Sequence, residues 1–435
     1  MKTITFIIFI GLLFYSQCTY SQKTIDTVST SAWSSNSINT VIFRKNALYT
    51  FKDTQFIAYY NSNGYLELGK RFIHSKHWTI STTRYKANTA DAHNSISIIV
   101  DGEGYLHVSW DHHGHPLHYA RSKAPFSLEL ELLNTMDGVL EKTITYPEFY
   151  ALPKGDLLFL YRDGFSGNGS VVLKRYLLKE KRWTTVHKNL IDGEGKRSAY
   201  WQANVDRFGG VHLSWVWRES ADVSSNHDLC YAYSPDGGLN WQQSKGQQYK
   251  IPIKEQTAEL LVRIPEKSEL INQTSLFALS KQAVFIAGYW KGEKDSVPQY
   301  QLVTNVSGVW KTISGGFRKT DFSLSGVGTK QIPISRPQVV AISRNDRYQV
   351  WIIFRDQAFG NKPMTAYINL KEPKHWTLRS LANLNLGYWE PCLDPALWSE
   401  KGVLSLFLQH TEQADNEGIK LVAGTSVGVL SVKLR

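Results

Sequence analysis

Cysteine is almost missing from this chain, with three in 435 residues, and Cys18 falls in an N-terminal stretch that reads as a leader. The remaining Cys230 and Cys392 are too few for a disulfide framework, so stability has to come from apolar burial. Long stretches of helical periodicity are also absent, which excludes a helix bundle. After the N-terminus no apolar run is long enough to span a bilayer. Runs of basic residues and nucleic-acid motifs are missing as well. Finally, no paired-carboxylate motif stands out, although glycoside hydrolysis usually needs two carboxylates flanking the bond.

What is present begins with the leader. Lys2 supplies a positive start, Ile4 to Phe14 a short apolar core, and Thr19-Tyr20-Ser21 a cleavage site before Gln22. The expectation is a signal peptide over 1–22 and a secreted protein, extracellular or periplasmic. Cys18 lacks the small neighbours of a lipid-anchoring site. Export argues against DNA or RNA as the physiological ligand. The formal charge is +11, and losing Lys2 leaves +10. A basic exported protein suits a polyanionic partner, since positive clefts concentrate anions.

The mature chain, 23–435, exceeds the usual size for one hydrophobic core, so two domains or one repeat architecture is expected. Short segments rich in Val, Ile, Tyr, Trp and Phe alternate with Gly, Asp, Asn and Pro turns, the pattern of all-β proteins. Asp101-x-x-Gly104-x-x-His107-x-Ser109-Trp110 recurs as Asp206-x-x-Gly209-x-x-His212-x-Ser214-Trp215. Each copy is followed by a strand, at His118–Ser122 and Cys230–Ser234. The second continues Ser234-Pro-Asp236-Gly-Gly238-Leu-Asn-Trp241, which resembles an aspartate-box turn. A Trp closes further units at 78, 183, 310 and 376, with Phe126 in the equivalent place once. A last unit starts near Pro391. This predicts seven units of about 48 to 69 residues, each with room for four strands: a single seven-bladed β-propeller of antiparallel blades.

In such a blade the start of the innermost strand and the end of the second emerge on one face. Those positions are His93-Asn94 with Asp111 to His115, Tyr146-Pro147 with Tyr161-Arg162-Asp163, and Tyr200-Trp201-Gln202 with Trp217-Arg218. Later units offer Gln273 with Tyr289-Trp290-Lys291, Arg336 with Arg355-Asp356, and Tyr388-Trp389-Glu390 with His410. One face thus collects His, Tyr, Arg and Trp, a set suited to β-elimination from a uronate. An Arg fork matches a carboxylate, His is a base near neutral pH, and Tyr can protonate a leaving oxygen.

Bland readings stand beside these. His107 and His212, at equal repeat positions, read as structural, and Trp110 and Trp215 as core. Arg162-Asp163 and Arg355-Asp356 could be salt bridges between blades, and Trp201 and Trp389 either stack on sugar or pack. His112, His113 and His115 could bind zinc, with His113 and His115 sharing a side; His227 and Cys230 could join a structural metal site. Asn305-Val-Ser307 matches a glycosylation acceptor.

The run from Asp91-Ala-His93-Asn94 through His107, Trp110, His113 and His118-Tyr-Ala-Arg-Ser122 resembles the BNR-repeat propeller family, which contains the ulvan lyases of polysaccharide lyase families 24 and 25, the latter being the nearer match. The resemblance spans nearly the whole mature chain and is specific in blades two to four. It implies an endo-type ulvan lyase acting on a sulfated rhamnose–uronate polysaccharide, with no cofactor required and a monomeric state. The residues themselves choose between neither endo and exo action nor glucuronate and iduronate. Carried over, His93 is a catalytic base or acid and Tyr146 the acid, with the base role for one epimer also open to it. His113, Arg162, Asn94, Tyr200 and Arg218 bind substrate, with Arg162 on the carboxylate. Three alternatives remain open: a rhamnosidase-type hydrolase on the same scaffold, a non-catalytic carbohydrate-binding propeller, and sialidase-like chemistry using Arg162, Arg218, Arg336 or Arg355.

Overall fold

The computed structural model describes residues 24–43, 46–345, 347–373 and 375–434; the expected signal peptide, 1–22, lies outside them. Within them the chain forms seven antiparallel sheets arranged as propeller blades, six of four strands and one of five. The seven-bladed all-β expectation is met. Blade 1 runs from Leu48–Phe51 to Thr79–Lys86, blade 2 from Ile96–Val100 to Leu130–Leu133, and blade 3 from Ile144–Ala151 to Arg182–Asp192. Blade 4 runs from Ser198–Val205 to Glu259–Val262, blade 5 from Ser275–Ser280 to Lys311–Ser314, and blade 6 from Gln338–Arg344 to Thr377–Ser380.

Blade 7 closes the ring. Its inner strands are Cys392–Leu393, Val403–Gln409 and Thr425–Lys433, and its outermost strand is the N-terminal segment Thr24–Ala32, paired at Thr24↔Ser431 and Ile25↔Leu430. The sequence reading started this unit at Pro391 and did not foresee that the other end of the chain completes it. The one α-helix among the described residues, Pro395–Lys401, is capped by Asp394, whose Oδ1 accepts from the Leu397 amide at 3.0 Å. The same carboxylate accepts from Thr50 and Gln55 of blade 1, so one buried side chain fastens the last blade to the first.

The repeat motif has a mechanical basis. Asp101 Oδ1 accepts from the amides of Glu103 and Tyr105, closing a turn in which Gly104 adopts φ +94°. Its Oδ2 meets His107 Nε2 at 3.2 Å, and His107 Nδ1 meets the Tyr119 hydroxyl at 2.6 Å. Asp206, His212 and Tyr231 repeat this arrangement at 3.0 and 2.8 Å. Both imidazoles are fully buried, so they lock strand to turn, as their repeat positions suggested. Burial depresses both below the ordinary histidine range, outweighing the neighbouring carboxylate, so they stay neutral. Trp110 and Trp215 are core.

The register brings the start of each inner strand opposite the end of the second: Ile96↔Trp110, Ser198↔Arg218 and Gln338↔Ile353. The inner strands Ile96–Val100, Ser198–Val205, Ser275–Ser280 and Gln338–Arg344 are buried from their starts through at least four residues, whereas outer ones such as Thr79–Lys86 alternate with solvent. Side chains leaving the inner strand starts therefore collect at the mouth of the central channel on one face.

Candidate active site

The segment Asp91-Ala-His93 enters blade 2 through a turn in which the His93 amide donates to Asp91 Oδ1 at 2.9 Å. The same oxygen lies 2.7 Å from His93 Nδ1. The other carboxylate oxygen, Oδ2, lies 2.6 Å from His113 Nδ1. Both imidazoles thus spend Nδ1–H on one carboxylate and keep Nε2 for a substrate. Their rings stack with centroids 4.1 Å apart. Burial alone would raise the Asp91 pKa, but the two imidazole bonds hold it far below the carboxylate range. Burial depresses His93, only partly opposed by Asp91, so its neutral form prevails at neutral pH.

His113 arrives by an unforeseen route. The second strand of blade 2 ends at Trp110, and His113–His115 crosses over to pair with Ile144–Thr145 as a fifth, innermost strand of blade 3. Gly114, with φ +75°, donates its amide to Thr145 Oγ1 at 2.8 Å. The bridge carries His113 to His93, while His112 is buried and accepts the His118 amide on Nε2 at 2.8 Å. The zinc-like triplet is therefore not one cluster. Asp91, His93 and His113 do converge, as do Glu219, His227 and Glu255 elsewhere, but both imidazoles of the first set already use Nδ1 on Asp91.

Tyr146 adopts φ +54°, rare for a bulky residue, beside Pro147 at a bulge between Thr145 and Glu148. Such strain clusters at functional sites. The bulge turns the phenol toward His93, with ring centroids 6.0 Å apart, and Phe43 packs against both at 4.9 and 5.6 Å. Arg162 lies behind, its guanidinium carbon 5.1 Å from the Tyr146 ring and 5.7 Å from that of Tyr200. Its Nη1 donates to the Tyr200 hydroxyl at 3.1 Å, and its Nε is buried with no hydrogen-bond partner among the described residues. Gly169 makes room for its stem: a Cβ there would meet Arg162 Cγ and Cδ at 2.7 Å. Burial raises the Tyr146 phenol, and the arginines offset this only in part. For Tyr200 burial pulls upward too, but Arg162 and Arg218 outweigh it and the net shift is downward. Arg218 completes this wall, 5.5 Å from the Tyr200 ring.

His93, His113, Tyr146, Arg162, Tyr200 and Arg218 therefore come together, while other expected members do not join them. Asn94 is fully buried and gives Nδ2 to the Asn88 carbonyl at 3.0 Å. Trp201 and Trp389 are core, bonded to Glu148 and to the Phe407 carbonyl, so neither stacks on sugar. Asp163 accepts from Thr143 rather than Arg162. Asp356 pairs with Arg318 at 2.9 Å, leaving Arg355 to bind the carbonyls of Ile332, Pro333 and Trp389. Arg336 grips Glu390 through Nε and Nη2 and reaches Gln273 at 3.0 Å. Asp163, Asp356 and Glu390 are thus engaged within the protein, as are Arg336 and Arg355, while Arg162 and Arg218 stay at the site. Cys230 is buried in the sheet opposite Trp215; His227 instead meets Glu219 at 2.9 Å, where Arg197 already supplies the cation.

Sequence reasoning missed Asp91 as a shared acceptor and Phe43 as a wall. The Asp-x-His spacing was the available signal for the first; nothing local announced the second.

A family model described as BNR repeat-containing family member matches residues 54–316. Among curated proteins, the long-isoform ulvan lyase of Alteromonas sp. (strain LOR) is 31% identical over 134 residues, 27% of this chain and 13% of that protein. Its short-isoform ulvan lyase is 28% identical over 159 residues, 32% of this chain and 29% of that protein. These alignments span well under two thirds of the relatives' length. Among solved structures, the polysaccharide lyase Uly1 superposes with a TM-score of 0.69 at 15% identity, covering 95% of this chain and 99% of the other. A family-25 ulvan lyase bound to -[GlcA(1-4)Rha3S]- superposes with a TM-score of 0.65 at 11% identity, covering 93% and 96%. At such identity the likeness establishes a shared fold.

Proposed function

The chain belongs to the BNR repeat-containing family, and from that membership and the geometry of its site we propose that it is a secreted polysaccharide lyase that cleaves ulvan by β-elimination at a 4-linked uronate. The observation that carries this is Asp91 holding His93 and His113 by Nδ1, at 2.7 and 2.6 Å, beside Tyr146 and the arginine pair. A carboxylate acceptor at Nδ1 fixes the tautomer whose Nε2 lone pair is free. His93 Nε2 then removes the C5 proton, and the electron pair forms the C4–C5 double bond as the C4–O4 bond breaks. Tyr146, kept protonated by its raised pKa, gives its proton to O4. C5 is acidic enough only if the neighbouring carboxylate is neutralised, and Arg162 with Arg218 supplies that charge where it develops. His113 hydrogen-bonds the sugar through Nε2, and Tyr200 orients Arg162.

His93 begins neutral, and the arginines favour a polyanion over a neutral glycan. The relative with bound -[GlcA(1-4)Rha3S]- lends support to an acidic sulfated saccharide as the ligand. The test is incubation with a panel of acidic polysaccharides without added metal. Absorbance of unsaturated uronate near about 235 nm, strongest with ulvan, is expected from elimination. Reducing ends without that absorbance mean hydrolysis, and neither signal means a binding propeller.

A further inference from the structure

Residues 315–337, between the outer strand of blade 5 and the inner strand of blade 6, form a connection far longer than most in a compact domain. Connections of such length without strands of their own are usually functional. This one is tied down at both edges of the site. Toward blade 4, the Gly326 carbonyl accepts from the Val223 amide, and the Gly326 amide donates to Asp222 Oδ1, both at 2.9 Å. Toward blade 7, the Thr329 amide donates to Glu417 Oε1 at 3.2 Å and the Gln331 amide to Asp415 Oδ1 at 3.0 Å. Lys330 Nζ holds Asp415 Oδ2 at 2.9 Å. Three residues of extended chain reach roughly 10 Å, so the rims of blades 4 and 7 are drawn close over blades 5 and 6.

The far end of this strap adjoins the proposed chemistry. Glu417 Oε1, which holds Thr329, lies 3.7 Å from His93 Nδ1. Gly328, Thr329 and Lys330 line the same cleft as His93, Tyr146 and Arg218. Beneath it, Leu324 and Ile332 are buried, and Arg355 grips the Ile332 and Pro333 carbonyls, so the strap is a packed wall. Access remains on the side of blades 2 and 3, where the His113 side chain is 32% exposed. Half-exposed Glu417 on the closed side repels a polyanion, whereas the charge of Asp415 is offset by Lys330.

We propose that the 315–337 strap, fastened to Asp222 on blade 4 and to Asp415 and Glu417 on blade 7, makes the cleft blind beyond His93 and restricts the enzyme to the terminal sugars of acidic saccharides, short oligosaccharides above all. This rests on the β-elimination reading and replaces the endo-type action that the family resemblance implied. A chain lying across the site would have to pass through the strap or through the Glu417–His93 contact.

The experiment follows absorbance near about 235 nm and viscosity together, with the full chain acting on high-mass ulvan and on its short oligosaccharides. Viscosity should persist while absorbance climbs, and kcat/KM for oligosaccharides should exceed that per site in polymer by at least about tenfold. Doubling Lys330→Ala with Asp415→Ala, which removes the Lys330 and Gln331 ties to blade 7 and leaves only the Thr329–Glu417 tie of those described, should loosen the strap and make viscosity fall earlier at equal absorbance. Early collapse of viscosity with wild-type protein overturns the blind cleft while leaving the lyase reading intact. No absorbance with either substrate removes the lyase reading, and the restriction with it.

Discussion

The imidazoles of His93 and His113 stack 4.1 Å apart at an interplanar angle of 22°, although they come from different connections. Stacked so closely, they cannot both be cationic without mutual repulsion, and that repulsion is among the causes that depress His93. Asp91 sets their facing and leaves each Nε2 toward the cleft.

Replacing that shared acceptor tests its orienting role. Asp91→Asn offers one oxygen where two Nδ1–H groups need partners, so one ring loses its tautomer control. The elimination rate should fall by about 10² or more, as when an orienting carboxylate is lost from a catalytic histidine, with thermal stability little changed. Rate measurement beside a melting curve checks this; an unchanged rate would remove Asp91 from the mechanism.

The depressed pKa of His93 gives the pH profile a sign. A base is inactivated by protonation, so kcat/KM should fall as pH drops through the folded pKa. Because burial sets that value below the ordinary histidine range, the acid limb should lie below about pH 6.5. A limb above that value would point to a different base.

Gly169 touches no substrate in this account, yet a methyl group there would press on the Arg162 stem. Gly169→Ala should shift the guanidinium behind Tyr146 and raise KM for uronate-containing substrates while the fold stays intact. Wild-type kinetics in this variant would show that Arg162 need not stay in place.

The repeat motif predicts a contrasting class of variant. Asp101→Ala leaves His107 Nε2 buried without its acceptor, a cost of about 1–3 kcal/mol, and His107 lies outside the site. Melting temperature should fall while the rate at permissive temperature is kept. Loss of rate without loss of stability would give the motif a catalytic role it lacks here.

The blades were legible because Asp101, Gly104 and His107 solve a local problem, a tight turn locked to the next strand, and the solution recurs with fixed spacing. The face was legible because inner strand starts and second strand ends must emerge together near the axis, which singled out His93 and Tyr146 by the first and Arg162 and Arg218 by the second. Four things were not legible. The closing strand Thr24–Ala32 and the strap meet their partners across gaps that no local pattern encodes. The crossing of His113–His115 to blade 3 depends on a pairing of three residues, too short to leave a period. Trp201 and Trp389 stayed undecided between sugar platform and core: the start of Ser198–Val205 is buried on both sides and carries no alternation to say which side chains face the mouth, and Trp389 lies outside the strands.

The most direct measurement is a crystal structure of Tyr146→Phe, slowed in protonating the leaving group, soaked with a uronate–rhamnose oligosaccharide. The account predicts C5 of one uronate within about 3–3.5 Å of His93 Nε2, and its carboxylate turned toward Arg162 and Arg218. A sugar bound on another face, or a uronate whose C5 lies out of reach of His93, would contradict it.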